Sequence, residues 1–213
     1  MMKKPKIWLG LGAVLVLFIA GVWVGRIMYK TQSTPPPPPT FFRSSLAPDT
    51  AGASGDQVIT PVSGTVIEVR DGELIQAAVA QARSGDLIRV YPGTYKETVY
   101  IDKENISLQG MIQDGKWPTL DGEKELNDAL LYSGNGILIE NFKIVNYKGN
   151  GVMGQAGNNF VIRNNWILDA GVYGIFPEFG KNGLIEHNIL TGIEDAAIYV
   201  GMCDNVDVRH NEV

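Results

Sequence analysis

Four six-residue segments decide the fold: Ile139-Glu-Asn-Phe-Lys-Ile144, Ile162-Arg-Asn-Asn-Trp-Ile167, Ile185-Glu-His-Asn-Ile-Leu190 and Val208-Arg-His-Asn-Glu-Val213. Each segment begins 23 residues after the one before it. A second set of positions keeps the same spacing: Gly151-Val152, Gly174-Ile175 and Ala197-Ile198. Because two separate columns share one period, we interpret this part of the chain as a structural repeat.

The length of the period limits the kind of repeat. Helical repeats need about 33–47 residues per unit, whereas β-solenoids and leucine-rich repeats need about 20–29. The LxxLxL pattern of leucine-rich repeats is absent, and short β-branched runs alternate with Gly and Asn. These features predict an all-β solenoid, in which each coil contributes two or three short strands and neighbouring coils stack about 4.8 Å apart.

The repeat explains why all fourteen asparagines lie at or beyond Asn105. Asn165, Asn188 and Asn211 occupy one position in successive coils, and Phe142 occupies it in the coil before them. An Asn at such a turn can hydrogen-bond the backbone, adopt the left-handed αL conformation and pair its amide with the next coil. We therefore expect a ladder of stacked asparagines that ends at Phe142.

A column of alternating charge accompanies this ladder: Glu140, Arg163, Glu186 and Arg209. Opposite charges on neighbouring strands contribute about 0.2–1 kcal/mol per pair. Catalysis is an alternative role for these groups, but ion pairing from coil to coil accounts for all four. We expect a structural ladder of ion pairs outside the core.

Upstream of the repeat, residues 71–85 predict a short amphipathic helix with Asp71 as its N-cap and Gly85 as its C′ glycine. A solenoid exposes its core at an open end, so we expect this helix to cap the N-terminal end. The strands of the first coil are predicted at Leu87–Tyr91, Thr98–Ile101 and Ile106–Leu108. Residues 111–131 are less regular, which indicates an insertion.

The part of the chain before Val58 differs in character from the rest. Residues 7–25 are uncharged and, as a helix, would span about 28 Å, enough for the hydrocarbon core of a bilayer. A cleaved signal peptide is the alternative, but its apolar region has only about 7–15 residues and precedes an A-x-A-like site. No such site follows here, so the sequence predicts an uncleaved transmembrane signal anchor over residues 7–28.

Charges around the span predict its orientation. Three lysines precede it, and one Arg and one Lys follow closely. The positive-inside bias places residues 1–6 in the cytoplasm of a bacterial-type cell and the downstream chain in the periplasm or extracellular space. Residues 29–57 predict a Pro-rich linker, with a PxxP ligand as the alternative interpretation, and a single domain follows over residues 58–213.

Charge and cysteine content exclude several classes of protein. Residues 44–213 contain 12 Lys/Arg and 23 Asp/Glu, a net charge of −11. This domain is therefore not expected to bind nucleic acid, whose phosphates require clustered basic groups. Cys203 is the only cysteine, which excludes disulfide scaffolds and Cys-rich zinc modules.

Several motifs near the start of this domain are recognisable: Ile75-Gln76-Ala77-Ala78, Gly85-Asp86-Leu87-Ile88, Pro92-Gly93-Thr94-Tyr95 and Ile106-Ser107-Leu108-Gln109-Gly110. They resemble the opening of pectin-lyase-like right-handed β-helix proteins. The later I-x-N/H-N-x-I coils resemble the parallel β-helix repeats of carbohydrate-binding and sugar-hydrolysing domains. The resemblance covers about residues 58–213 and implies a right-handed parallel β-helix of about 23 residues per coil.

The expectation for the whole chain is therefore an all-β domain with an N-terminal capping helix, preceded by one transmembrane helix. Only four or five coils precede Val213 and no C-terminal cap is visible, so we expect the domain to be truncated there. The resembled proteins include polysaccharide lyases, epimerases, hydrolases, accessory proteins linked to copper enzymes and proteins without known catalysis. The resemblance thus implies a fold without choosing an activity.

A candidate binding site follows the second repeated column. Side chains alternate between the two faces of a strand, so the residues after the inward positions form one outward column: Met153, Phe176 and Tyr199. Together with Tyr173, Phe176 and Tyr199 are candidate substrate-binding residues, because aromatic side chains along a solenoid could hold sugar rings. A loop or a protein partner that covers this apolar surface is the alternative.

Three acids near this column are weak candidates for catalysis: Asp169, Glu178 and Asp195. Two carboxylates can protonate a leaving group and activate water in glycoside hydrolysis when they lie about 5–9.5 Å apart. The same oxygens could instead bind Ca²⁺, which would offset the negative charge against a uronate substrate. Ordinary turn acids are the remaining interpretation.

Two other chemistries have less support. A uronate lyase or epimerase needs a base and positive charge near the substrate carboxylate, but basic residues are sparse and the Asp-Pro-His-Asp motif of alginate epimerases is absent. His187 and His210 lie one period apart and, with a nearby Met and Cys, suggest a soft metal site. Asn141 and Asn164 hold the same position in earlier coils, so we interpret the histidines as turn residues and predict no metal site.

The sequence therefore predicts a membrane-anchored, extracytoplasmic β-helix that binds or processes a carbohydrate polymer. Two alternatives stay open. One is a non-catalytic scaffold or accessory protein of the cell envelope whose solenoid face contacts a protein partner. The other is a polysaccharide lyase, epimerase or glycoside hydrolase with part of its site outside this chain.

Overall fold

The computed structural model describes residues 64–213, in which 17 β-strands and one α-helix are found. The predicted cytoplasmic segment 1–6, signal anchor 7–28 and linker 29–57 lie outside the described residues. Between residues 64 and 213, no helix is long and apolar enough to cross a membrane.

The strands form three parallel sheets. Sheet A contains β1 (Val66–Val69), β2 (Leu87–Val90), β5 (Ser107–Gly110), β8 (Leu138–Glu140), β11 (Val161–Arg163), β14 (Lys181–Glu186) and β17 (Asp204–Arg209). Sheet B contains β3 (Gly93–Tyr95), β6 (Pro118–Asp121), β9 (Lys143–Val145), β12 (Trp166–Leu168) and β15 (Ile189–Thr191). Sheet C contains β4 (Val99–Ile101), β7 (Leu130–Tyr132), β10 (Val152–Gln155), β13 (Tyr173–Glu178) and β16 (Ala196–Ile198).

From β2 to β16 the chain passes from sheet A to B to C and back to A, so that each of these coils adds one strand to each sheet of a right-handed parallel β-helix. From Leu138 onward the register between neighbouring coils equals the predicted period. Three earlier intervals differ: those in which Val66 pairs with Leu87 and Leu87 with Ser107 are shorter, and the one in which Ser107 pairs with Leu138 is longer. The longer coil contains residues 111–131, where the sequence indicated an insertion.

The core consists of inward columns that run along the axis of the solenoid. In sheet A the inward column is almost completely buried: Ile88, Leu108, Ile139, Ile162 and Ile185. Sheet B contributes a similar column: Leu120, Ile144, Ile167 and Leu190. Full burial of each such side chain contributes about 1.5–3 kcal/mol, so stacking identical positions produces one continuous apolar core.

The predicted asparagine ladder lies at the corner between sheets A and B. The backbone N–H and Nδ2 of Asn165 both donate to Oδ1 of Asn188, at 3.0 Å each. Asn188 donates in the same way to Asn211, and the N–H of Phe142 donates to Asn165 at the other end. Asn165 and Asn188 are completely buried, so the ladder satisfies polar groups that have no access to water.

The αL conformation belongs to the residue before each ladder asparagine and before Phe142, which corrects the prediction that the asparagine itself adopts it. These preceding residues have φ angles of 54–65°: Asn141, Asn164, His187 and His210. The αL residue turns the chain at the corner, and the side chain of the residue after it then points into the corner. His187 and His210 are therefore turn residues, as the sequence indicated.

The other two corners use the same conformation. Between sheets B and C the αL residues are Asn146, Asp169 and Gly192, and between sheets C and A they include Asn159, Asn182 and Asn205. The last three form a second, exposed amide ladder, with Nδ2···Oδ1 distances of 3.2 and 2.8 Å. Among the L-residues Asn and Asp adopt αL most readily, and glycine adopts it freely, which accounts for their abundance in the coils.

The predicted charge column forms two separate ion pairs. Arg163 Nε lies 2.7 Å from Glu140 Oε2, and Arg209 Nε lies 3.0 Å from Glu186 Oε2. Glu140 is buried and also accepts a hydrogen bond from Gln109. No ion pair among the described residues joins Arg163 to Glu186, because each guanidinium turns toward the preceding coil. The expected continuous ladder is therefore wrong in its middle step.

The helix α1 (Ile75–Gln81) is shorter than the predicted one, and it packs against β1, β2 and β4. Both predicted end signals are wrong. The N-cap residue is Leu74 rather than Asp71, and the C-cap residue is Ala82, which leaves Gly85 outside the helix end. Local sequence signals therefore do not determine the ends of α1.

Two side chains from the first coil bind the ends of α1. The carboxylate of Glu97 accepts hydrogen bonds from the N–H groups of Ile75 and Gln76, at 2.8 and 2.9 Å. Lys103 Nζ donates to three carbonyl oxygens at the other end, those of Val79, Ala80 and Ala82. These charges complement the helix dipole and satisfy groups that a helix leaves unpaired.

We expect Asn188→Ala to lower the free energy of unfolding by about 3 kcal/mol, because it leaves buried groups of Asn165 and Ile162 without partners. Chemical denaturation followed by circular dichroism would measure the change. Asn127→Ala, at an exposed asparagine, is the control and should cost less than about 0.5 kcal/mol. Equal effects of the two substitutions would contradict a stabilising ladder.

Glu97→Ala should cost about 1–2 kcal/mol of stability, because it removes the acceptor of two N–H groups at the start of α1. Asp71→Ala tests the cap that the local sequence suggests, and it should cost less. Thermal unfolding of both variants beside the parent chain would measure the difference. A larger effect at Asp71 than at Glu97 would contradict capping of the helix by Glu97.

Candidate functional site

The outward side of sheet C carries an apolar column. Val152 and Ile175 are completely buried, and the residues that follow them, Met153 and Phe176, face outward beside each other. Tyr199 continues the column on the next coil, where it is 47% exposed. The alternation predicted for this sheet is therefore confirmed.

Tyr173, Phe176 and Tyr199 form a compact cluster, the aromatic triad. The ring centroids of Tyr173 and Phe176 are 4.9 Å apart and meet edge to face. Tyr199 stacks on Phe176 at 5.2 Å and lies 5.1 Å from Tyr173. The rings therefore support one another, and Tyr199 is the most exposed of the three.

Backbone features of neighbouring coils hold the triad in place. A Cβ atom at Gly201 would lie 2.8 Å from the Phe176 ring, so the absence of a side chain there lets the ring lie against the next coil. The N–H of Tyr173 donates to Asn150 Oδ1 at 3.2 Å. Asn150 in turn donates twice to Asp128 Oδ1, at 2.8 and 2.7 Å. These contacts order the strand ends that carry the rings.

The column extends beyond the residues predicted from the sequence. Met153 pairs with Leu131, and Leu131 pairs with Tyr100, which is 41% exposed. We call the five outward residues the sheet C stripe: Tyr100, Leu131, Met153, Phe176 and Tyr199. The spacing from Tyr100 to Leu131 and the spacing from Leu131 to Met153 both differ from the period of the later coils. A search for that period therefore does not find Leu131 or Tyr100.

A second apolar feature of this face was also missed. Phe179 and Met202 follow the ends of the sheet C strands in adjacent coils, and they are 54% and 70% exposed. Both adopt the αL conformation, with φ angles of 56° and 49°, which is unfavourable for side chains of this size. No sequence signal separates them from ordinary turn residues.

Asp195 is the predicted acid that lies beside the triad. Its N–H donates to the carbonyl of Val172 at 3.1 Å, and the next residue, Ala196, pairs with Tyr173. Partial burial raises the pKa of Tyr173 above its ordinary value, and the charge of Asp195 raises it further. The phenol therefore stays protonated and can donate or accept a hydrogen bond at neutral pH.

The structure separates Glu178 from Asp195 and places Asp169 at a corner. Glu178 lies at the far end of β13, and the five residue steps from Tyr173 span about 17 Å. That separation exceeds the roughly 5–9.5 Å that a pair of glycosidase carboxylates needs. Asp169 has a φ angle of 54° at a corner, where it has the same turn conformation as Asn146 and Gly192.

The two chain segments that carry the triad have unbalanced negative charge, and exposed Lys148 lies beside Gly171 on the preceding coil. Residues 169–180 and 192–203 contain four carboxylates and no Lys or Arg: Asp169, Glu178, Glu194 and Asp195. None of the four takes part in an ion pair among the described residues. Lys181, the next basic residue along the chain, is paired with Asp204.

The residues considered for metal binding do not converge. His187 and His210 stack face to face with their centroids 5.2 Å apart. The thiol of Cys203 contacts backbone groups of Gly180 and Pro177 instead. Among residues 64–213, no group of three or more His, Cys, Asp or Glu side chains is arranged to hold a metal ion.

Three parallel sheets, regularly repeated corner turns and a stacked core define the class of right-handed parallel β-helices. Residues 59–213 match the family described as right handed beta helix region, and the chain belongs to this family. A comparison with solved structures finds similarity to an alginate lyase from Paenibacillus sp. str. FPU-7. The two chains are 13% identical, 70% of this chain and 73% of that chain are covered, and the TM-score is 0.41. A comparison with curated proteins finds no significant match.

Proposed function

We propose that this protein is a membrane-anchored, extracytoplasmic β-helix that binds a polysaccharide along the sheet C stripe. The observation that carries the proposal is the aromatic triad, which is continuous with Met153, Leu131 and Tyr100 on successive coils. The stripe runs along the solenoid axis, so it suits an extended ligand better than a single sugar.

Polar groups border the stripe on both sides, as sugar recognition requires. Ser133, Gln155 and Glu178 lie at one end of the sheet C strands, and Asn150 and Tyr173 lie at the other. Sugar rings present apolar C–H faces and a rim of hydroxyl groups. Binding sites match such ligands with aromatic surface and a few well-placed hydrogen-bonding groups.

Binding without cleavage is the form of the proposal that the geometry supports best. A hydrolase needs two carboxylates on either side of one glycosidic bond. The separation of Glu178 from Asp195 is too large for that, and Asp169 lies at a corner beside Gly192 rather than on the stripe. The scaffold alternative predicts that a protein partner, rather than a glycan, binds the same surface. The glycan-array experiment below distinguishes the two.

The proposed location rests on the N-terminal sequence. Residues 7–28 are apolar enough to anchor the chain, and the Pro-rich segment 29–57 would connect this anchor to the β-helix. The slight excess of positive charge before the span favours a domain outside the cytoplasm. A polysaccharide of the cell envelope would then be within reach.

Glycan binding should depend on the triad. On an array of neutral and charged polysaccharides, the full-length chain should retain at least one glycan, and Phe176→Ala or Tyr199→Ala should weaken binding about tenfold, because each removes apolar contact area. Ile112→Ala is the control, since Ile112 is an exposed apolar residue in the loop between sheets A and B. Retention of no glycan, or equal binding by all variants, would refute the proposal.

Anchoring is tested by cell fractionation. The full-length chain, produced in bacteria, should sediment with membranes and be digested by a protease added to cells with a permeabilised outer envelope. Removal of residues 1–28 should transfer the chain to the soluble fraction. A full-length chain found in the soluble fraction would contradict the anchor.

A further inference from the structure

The charges around the triad indicate which class of polysaccharide suits this surface, and this inference rests on the proposed function above. Glu178 lies at one end of the paired strands, and Glu194 and Asp195 lie at the other. All three are at least partly exposed. The apolar surface is therefore bordered by carboxylates on both sides.

Ion pairs within the fold neutralise acids on sheet A but not these three acids. On sheet A, outward carboxylates are matched with arginines on neighbouring coils, as in Glu140–Arg163 and Glu186–Arg209. On sheet C, no such partner is present among the described residues. The three carboxylates therefore have no ion-pair partner among the described residues and can pair with a cationic ligand.

We propose that the occupant of the sheet C stripe is a cationic polymer of amino sugars. The apolar faces of its rings fit the aromatic triad, and its ammonium groups complement Glu178, Glu194 and Asp195. A polyuronate would place like charges together without a Lys or Arg in residues 169–180 or 192–203.

The two acidic borders flank the stripe at opposite ends of the sheet C strands. The ends of β13 are about 17 Å apart, so one sugar ring cannot contact both borders. An oligomer of several rings that lies along the stripe can direct some ammonium groups toward Glu178 and others toward Asp195. Affinity should therefore rise with the number of sugar units.

The experiment compares oligomers that share one backbone and differ in charge. Purified full-length chain, in a detergent without a sugar headgroup, is titrated with β-1,4-linked glucosamine, N-acetylglucosamine and uronate oligomers of equal length. The glucosamine oligomer should bind at least about tenfold more tightly than its acetylated counterpart. The difference should shrink as salt is raised, because exposed charges are screened.

A charge-neutralised variant tests the residues. Glu178→Gln, Glu194→Gln and Asp195→Asn together should reduce affinity for the glucosamine oligomer to about that of the acetylated one. The matched control removes three exposed carboxylates from other parts of the described chain: Asp114→Asn, Asp207→Asn and Glu212→Gln. The control should keep the preference of the parent chain.

The outcomes separate this inference from the proposed function. If none of the oligomers and no glycan on the array binds, the proposed function fails and this inference fails with it. If the acetylated or uronate oligomer binds as tightly as the glucosamine oligomer, only the amino-sugar inference is overturned. A triple variant that keeps the full preference for the glucosamine oligomer would also overturn only the amino-sugar inference.

Discussion

The fold requires each coil to bring the chain back to its starting corner, one strand spacing further along the solenoid axis. Each coil must turn three corners. From the coil that begins at Leu138 onward, a residue in the αL conformation is found at each corner. At the corner between sheets A and B, the buried amides of Asn165 and Asn188 also replace water as partners of the backbone. Without these two features, parallel strands so short could not stay in register.

Stacking converts positions in the sequence into columns on the surface. Stacking of the coils buries Ile139, Ile162 and Ile185 in the core. The same stacking brings Phe176 and Tyr199 into contact on the outer face of sheet C. Core and candidate site therefore have one physical origin, the alternation of side chains along a strand, repeated in every coil. The difference between the sheets lies in charge, which is paired on sheet A and unpaired near the triad.

Prediction from the sequence succeeded where the repeat is regular and failed where contacts are distant. The asparagine ladder, the outward column and the ion pairs of Glu140 and Glu186 follow from the period alone. Leu131 and Tyr100 could not be assigned to the stripe, because a longer coil interrupts the period. The ends of α1 could not be located, because Glu97 and Lys103 bind them from the following coil.

The sequence by itself determined the class of fold, the coil length and the residues that face inward or outward from Ile139 onward. It could do so because each of these properties depends on periodicity, which is local and repeats. Only the tertiary structure decided that Tyr173, Phe176 and Tyr199 touch, that Glu178 lies far from Asp195, and which residue at each corner adopts αL. These properties depend on distances between coils and on the path of the backbone through each turn, and neither is encoded by spacing along the chain.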